Sequence, residues 1–215
     1  MLDVTKPQGT APFDTARLDR LMDDAGIDVL IASSKPNVQY LLGGHRSFFF
    51  DTMDAIGVTR YLPIFVYPKG AADKAGYFGH RMEGYQTALK PFWVSETNTK
   101  SSGAVDVIER AAEYVKRLGG KPRIGCELAF LPAQSAAALR KALPDSEIKD
   151  ALFVLERLRS RKTKDELEKL RIASELVIDA VVEPSALRGE IVARLAVAGG
   201  KDRTFSERRH GVPPV

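Results

Sequence analysis

The sequence predicts an α/β fold, in which a mixed β-sheet flanked by helices is followed by a long linker helix and an irregular tail. Short β-rich runs alternate with segments that carry apolar residues at helical spacing, which is typical of a layered α/β domain. The apolar runs between residues 61 and 79 are separated by hairpin-like spacing, which favours a sheet that is not purely parallel. The strongest helical periodicity lies in residues 151–182.

The first elements are predicted to be a helix, a buried strand and a second helix. Asp14 is a suitable N-cap for the first helix, and Gly26 is a suitable residue to end it. Ile27–Ala32 is a short apolar run, typical of a buried strand. The second helix is predicted from Ser34 to Leu42, because Pro36 is tolerated in a first turn.

The later elements continue the alternation up to residue 149. Strands are predicted at Tyr61–Tyr67, Gly76–Gly79, Phe92–Val94, Arg123–Glu127 and Ser146–Lys149. Helices are predicted at Arg81–Ala88, from Ser101 or Ser102 to Leu118, and at Leu131–Leu143.

The linker helix has a recognisable start and an apolar row. Thr163 and Glu166 have the spacing of a capping box, in which each side chain binds the other residue's backbone N–H. Glu168 and Arg171 can pair one turn apart. Apolar side chains then recur at helical spacing at Leu167, Leu170, Val177 and Val181, with the polar Ser174 in the same row.

Composition is that of a soluble globular protein, with 44% hydrophobic and 28% charged residues in a chain of 215. Residues 185–215 hold six Lys/Arg against three Asp/Glu, so most of the net charge of +4 lies in the tail. This distribution does not indicate a nucleic-acid-binding protein. The single cysteine excludes an internal disulfide framework and fits a reducing compartment. No secretory signal or membrane span is visible, so a cytoplasmic location is expected.

Four segments together resemble the N-terminal domain of the creatinase, prolidase and Xaa-Pro aminopeptidase family. They are the run Arg17–Ile31, the run Pro36–Gly43, the run Ile124–Glu127 before a proline-initiated helix, and the linker Leu158–Arg171. The resemblance covers roughly residues 14–182. It divides the chain into a leader at 1–13, a creatinase N-terminal-like α/β domain at 14–150, linker helices at 151–182 and an atypical basic tail at 183–215.

The resemblance also implies a second, pita-bread catalytic domain that holds two divalent metals on Asp, His and Glu side chains. After Val182 the sequence has no Asp-x-Gly motif, and its one histidine, His210, has no carboxylate cluster around it. The chain is therefore expected to lack the catalytic domain, every metal ligand and any cofactor of its own. The shift to Arg, Gly and Ala after Glu183 predicts a frameshift or truncation near 182–184.

No catalytic residue is predicted in this chain, and the candidate site residues lie in the long connection at 45–59. In the family this loop reaches over the active site of the partner subunit in a dimer, which makes His45, Arg46, Phe48 and Phe49 candidates for a substrate rim. The planar guanidinium of Arg46 suits a carboxylate. The alternative is that Arg46 is a solvated loop residue and that the phenylalanines are the core of an interface.

Other chemistry-bearing residues have simpler interpretations. Asp51 and Asp54 without a third ligand do not make a cation site. The three histidines lack zinc spacing. Cys126 lies within a predicted strand, which favours packing over nucleophilic catalysis.

The resemblance, together with the missing metal ligands, implies a non-catalytic N-terminal domain that contributes homodimer contacts and substrate capping and is inactive alone. Its full-length relative would hydrolyse Xaa-Pro peptide bonds or related C–N amide bonds with a metal-activated hydroxide. A separate catalytic domain is a possible partner; neither a nucleic acid nor a membrane is expected. One alternative is a stand-alone interaction module that uses the apolar face Leu167–Val181. Two further alternatives are a nucleotide-binding domain, for which no phosphate loop is present, and nucleic-acid binding by the basic tail.

Overall fold

A computed structural model describes residues 10–45, 61–89, 91–179 and 181. The chain divides into two compact units, Met1–Arg161 and Lys162–Val215. Among its described residues, the first unit contains a six-stranded sheet with helices on both faces. Its strands are β1 Val29–Ala32, β2 Ile64–Pro68, β3 Gly76–His80, β4 Glu96–Ser101, β5 Ile124–Cys126 and β6 Ile148–Asp150. Its α-helices are α1 Thr15–Ala25, α2 Lys35–Leu41, α3 Gly84–Leu89, α4 Ala104–Leu118, α5 Ala133–Ala142 and α6 Leu152–Ser160.

The sheet is mixed, which confirms the predicted fold class. The strand order is β4-β3-β2-β1-β5-β6. β1 pairs with β2, and β2 with β3, in antiparallel fashion. The pairs β1–β5, β3–β4 and β5–β6 are parallel. The carboxyl ends of β1 and β5 therefore lie side by side, which brings the residues after each of these strands together.

Side chains of successive strand residues point to opposite faces of the sheet and build two cores. Leu30, Phe65 and Tyr77 lie in the core that also holds the buried side of α1, α2 and α6. Val29, Ile64 and Phe78 lie in the core covered by α4 and α5. The central strands are thus covered on both faces, which explains why their sequences are apolar runs without polar alternation.

The predicted ends of the first helix are confirmed. Asp14 accepts a hydrogen bond from the backbone N–H of Arg17 at 2.8 Å. Gly26 adopts the left-handed conformation, with φ of 63°, and its N–H binds carbonyls of the last turn. Leu18 and Met22 are fully buried on the helix face between these caps.

One predicted strand is wrong. Phe92–Val94 lies outside the sheet, and the strand of this region is Glu96–Ser101, a mostly polar edge strand. Phe92 and Val94 are buried in the core as part of an irregular segment. Their apolar character therefore reflects tertiary packing, whereas β4 is set by its pairing with β3.

The second unit contains a helix at 164–179, here α7. Its predicted capping box is confirmed: Thr163 N–H donates to Glu166 Oε2 at 2.7 Å, and Glu166 N–H donates to Thr163 Oγ1 at 3.2 Å. Arg171 pairs with Glu168, as predicted, and also with Glu175. The apolar row is exposed: Leu167, Leu170, Val177 and Val181 show between 51% and 65% of their surface.

Candidate functional site

His45 lies in a small cleft at the carboxyl end of α2, and it is the one predicted site residue within the described part of the chain. Arg46, Phe48 and Phe49 lie outside the described residues. The cleft has a volume of about 170 Å³ and is lined by Thr10, Pro12, Leu42, Gly43, His45, Pro91, Phe92 and Trp93. The half-buried imidazole of His45 packs edge-to-face on Phe92, with ring centroids 4.5 Å apart. The cleft therefore combines aromatic walls with one polar, titratable group.

The position of the cleft depends on how α2 ends. Gly43 and Gly44 have φ of 73° and 90°, a left-handed turn that ends the helix and places His45 directly after it. The indole N–H of Trp93 donates to the carbonyl of Leu41, the last residue of α2, at 2.8 Å. Trp93 thus ties one wall of the cleft to the helix that carries His45.

A second polar cluster lies at the end of β3. The fully buried Tyr77 donates its hydroxyl proton to Glu83 Oε2 at 2.5 Å. Burial, followed by the neighbouring Glu83 charge, raises the pKa of Tyr77 well above its usual value. His80 packs against Tyr61, with ring centroids 4.7 Å apart, and its Nδ1 accepts from the N–H of Met82. Tyr77 also contacts Phe92 of the His45 cleft, with centroids 5.0 Å apart.

The carboxylate of Glu127 is fully buried just after β5 and accepts four hydrogen bonds. Its Oε2 accepts from the N–H groups of Ser33 and Ser34 at 2.7 and 2.9 Å. Its Oε1 accepts from Ser34 Oγ at 2.6 Å and from Asn37 Nδ2 at 2.5 Å. Because β1 and β5 are parallel neighbours, the donors that follow β1 meet the acceptor that follows β5.

Asn37 extends this network to the last helix of the first unit. Arg159, near the end of α6, donates from Nη1 to Asn37 Oδ1 at 3.0 Å. Asn37 is 2% exposed, so both ends of its amide are held inside the protein. Glu127 and Arg159 are therefore joined through a single side chain of α2.

Sequence reasoning found the segment that contains Glu127 but not its role. The four donors lie between 90 and 94 residues away along the chain. A usable signal was present, since two serines and an asparagine follow one predicted strand and a glutamate is the last residue of another. Parallel pairing of these two strands would have been needed to join them.

Cys126 and Asp28 are held in place by packing and by an ion pair, respectively. Cys126 is 1% exposed, and burial together with the adjacent Glu127 raises the pKa of its thiol to about 12. Asp28 accepts three hydrogen bonds from Arg123, two of them from the guanidinium at 2.9 and 2.7 Å. These bonds hold the pKa of Asp28 well below its usual range. This ion pair links the start of β1 to the start of β5.

Within residues 10–45, 61–89, 91–179 and 181, no group of three or more His, Cys, Asp or Glu side chains is arranged to hold a metal ion. The buried carboxylates in this part of the chain are instead bound by protein donors, as Glu127 and Glu83 show. The described residues thus do not fit a dimetal centre. The same part of the chain contains no helix that is long and apolar enough to cross a membrane.

The mixed sheet, with helices on both faces, defines a small α/β domain. Residues 15–161 match the Creatinase/Prolidase N-terminal domain model, and the chain belongs to that family.

Three solved structures have a similar fold. The prolidase from Thermococcus sibiricus has a TM-score of 0.61 at 13% identity, with 82% of this chain and 44% of that chain covered. The prolidase from Pyrococcus horikoshii has a TM-score of 0.55 at 21% identity, covering 78% and 41%. The Xaa-Pro dipeptidase from Bacillus anthracis has a TM-score of 0.53 at 21% identity, covering 72% and 37%.

One curated relative has a different description. A stretch of 52 residues is 42% identical to an uncharacterized carboxylase, YngE, of Bacillus subtilis, and it covers 24% of this chain and 10% of that protein. The match thus spans about a tenth of this relative, and the chain spans between 37% and 44% of the three solved enzymes. At these identities and coverages the structural likeness establishes the fold.

Proposed function

We propose that this chain is the non-catalytic N-terminal domain of an Xaa-Pro peptidase-like or creatinase-like metallohydrolase and that it contributes dimer contacts and substrate capping. The observation that carries the proposal is the family match over residues 15–161. The full-length relative would hydrolyse Xaa-Pro peptide bonds or related C–N amide bonds. The domain boundaries that go with this role are the α/β domain at 14–150, the linker helices at 151–182 and the tail at 183–215.

In this proposal the chain is inactive alone. The two divalent metals that the family implies would be held by a catalytic domain, supplied as a separate partner or by a longer chain. Chemistry at the scissile bond would then be the task of that domain. The share of this chain would be to orient the substrate and to exclude water from its distal end.

Substrate capping is assigned to His45, with Arg46, Phe48 and Phe49 as the remaining members of the rim. His45 supports the proposal because its imidazole lies in a cleft with aromatic walls. An imidazole can donate or accept a hydrogen bond when neutral and can pair with a carboxylate when charged. A peptide's free carboxylate or amide is therefore the kind of group this cleft would contact.

The non-catalytic assignment is tested by incubating the purified chain with an Xaa-Pro dipeptide and Mn²⁺ or Co²⁺. We expect no product above the rate without protein, while a full-length prolidase in the same buffer releases proline. Metal-dependent cleavage by the purified chain would contradict the assignment.

Substrate capping is tested in trans with a separately expressed family catalytic domain. We expect wild-type chain to lower the KM for the dipeptide and His45→Ala to do so less. Lys121→Ala, which changes an exposed side chain in the turn before β5, is the matched control. An identical KM with and without the chain would contradict capping.

A second candidate function is a stand-alone protein-interaction module. The observation that favours it is the exposure of large apolar side chains along α7, from 44% at Ile172 to 65% at Val181. Sedimentation of the wild type and of the double variant Leu170→Glu/Val177→Glu distinguishes the two functions. A dimer that persists in the variant supports contacts through the N-terminal domain. A dimer that dissociates in the variant supports the α7 face.

We also propose a cytoplasmic location. A single buried, reduced cysteine fits that compartment. Fractionation of cells that express the tagged chain is the corresponding measurement, and recovery outside the cytoplasmic fraction would contradict it.

A further inference from the structure

α2 is held at both ends by hydrogen bonds from distant parts of the chain. At its start, Glu127 binds the N–H groups of Ser33 and Ser34 and the side chain of Asn37. At its end, the Leu41 carbonyl binds the indole of Trp93. The helix has seven residues, a length of about 10 Å. Val38 and Leu41 are fully buried between these attachments, so the helix packs as one rigid piece.

The network at the start of α2 includes Arg159, a charged residue of α6. Arg159 is half-buried, lies two residues before the end of the first unit, and places one guanidinium nitrogen within 3.0 Å of Asn37 Oδ1. A charged donor gives a stronger and more directional bond than a neutral one. Asn37 in turn can keep its Nδ2 on Glu127 only in the amide orientation that Arg159 favours.

We propose that Arg159 is a positioning residue that couples the end of α6 to the His45 cleft through α2. A displacement of the last turn of α6 would change the Arg159–Asn37 bond and shift the start of α2. Because α2 is short and rigid, its carboxyl end would move with it. That end carries the Leu41–Trp93 bond and leads through two left-handed glycines to His45. A displacement at the end of α6 would thereby reach the cleft.

The functional meaning of this coupling rests on the proposed role of His45 at the substrate rim. The coupling itself does not, because it can be measured in the full chain without substrate or metal. An unchanged indole signal in Arg159→Met would argue against the coupling but not against substrate capping. An unchanged KM in the experiment in trans would argue against capping but not against the coupling.

The chain has one tryptophan, so its indole N–H gives a single, assignable NMR signal that reports the carboxyl end of α2. We expect Arg159→Met to accelerate exchange of this indole proton by about tenfold, the effect of losing one hydrogen bond from a charged donor. The Cε1–H signal of His45 should shift in the same variant. Arg159→Lys, which keeps a charged donor, should restore part of both effects.

Arg157→Met is the matched control. Arg157 lies on the same helix, is exposed, and its side chain stacks on Phe153 outside the network. It should leave the indole exchange and the His45 signal as in the wild type. Backbone amides of β2, measured in the same samples, report global unfolding.

Two results would overturn the proposal. In the first, Arg159→Met changes only the amides of the first turn of α2 and leaves the indole unchanged, so that the network is a local clamp. In the second, the indole and the β2 amides accelerate by the same factor in Arg159→Met, so that the variant acts on overall stability.

Discussion

Glu127 and the apolar row of α7 both depart from the usual distribution of side chains, in which charged groups are exposed and large apolar groups are buried. The carboxylate is fully buried, whereas Leu167, Leu170 and Val177 are at least half exposed. The difference lies in the partners that the described residues offer. Glu127 has four donors within 2.9 Å, which replace the water that it loses on burial. Leu167, Leu170 and Val177 have no comparable cover among the described residues, so much of their apolar surface stays in contact with water.

The largest expected effect comes from removing the buried carboxylate. Glu127→Leu leaves buried donors of Ser33, Ser34 and Asn37 without an acceptor. We expect a loss of roughly 3–5 kcal/mol in the free energy of unfolding, because each unsatisfied buried group costs about 1–3 kcal/mol. Urea denaturation measures it. The exposed Glu147→Leu should change stability by less than about 0.5 kcal/mol. Equal losses in both variants would show that the network is not the source.

The second-largest effect is expected from overpacking at Gly125, two residues before Glu127. At Gly125 in β5, an added Cβ would lie 2.6 Å from Ile27 Cδ1 and 2.9 Å from Ala151 Cβ. Gly125→Ala should therefore destabilise the domain by about 1–3 kcal/mol through overpacking. At Gly84, the nearest atom to an added Cβ is Thr99 Oγ1 at 3.5 Å, an ordinary contact. Thermal unfolding of both variants is the measurement, and a neutral Gly125→Ala would mean that the core relaxes around the added methyl group.

A smaller effect is expected for a charge pair of intermediate exposure. The Asp28 and Arg123 side chains are 35% and 44% exposed, so solvent screens their interaction. The pKa of Asp28 is lowered, chiefly by its hydrogen bonds from Arg123. The pair should therefore stabilise the fold at pH values above the unfolded pKa of about 4 and lose this contribution as the pH falls toward the folded pKa. We expect Asp28→Asn to cost about 1 kcal/mol at pH 7 and less at pH 3. A difference from the wild type that does not change between these pH values would contradict this origin.

The smallest effect on stability is expected at the exposed row itself. Leu170→Lys should change the unfolding free energy of the chain by less than about 0.5 kcal/mol, because the side chain is already half in water. Its effect should appear in self-association, measured by light scattering across a concentration series. The exposed, charged Lys169→Glu on the same helix is the control. A large destabilisation by Leu170→Lys would show that the row is covered within the chain.

Local rules predicted much of the fold. Asp14, Gly26 and the Thr163–Glu166 capping box were predictable because their partners lie within four residues. The mixed sheet followed from the alternation of elements together with one hairpin-like pair. The error at Phe92–Val94 came from contacts outside any local window, since their burial depends on the ring packing around Tyr77 and Trp93.

The candidate site was less predictable for the same reason. His45 was selected by its position in the long connection, and the cleft around it depends on Trp93 and Phe92, more than 40 residues away. The role of Glu127 and Arg159 depends on strand order and on an asparagine between them. Such contacts become visible only when the pairing of β1 with β5 is known.

The buried thiol of Cys126 allows the opening of the sheet to be timed by alkylation. With a pKa of about 12 and 1% of its surface exposed, the thiol is almost entirely protonated and out of reach of an alkylating reagent while the sheet is intact. Alkylation by iodoacetamide therefore has to wait for β5 to separate from its neighbours. Because the chain has no other cysteine, the mass of the intact protein after a timed pulse counts the molecules that have opened, even within a crude extract.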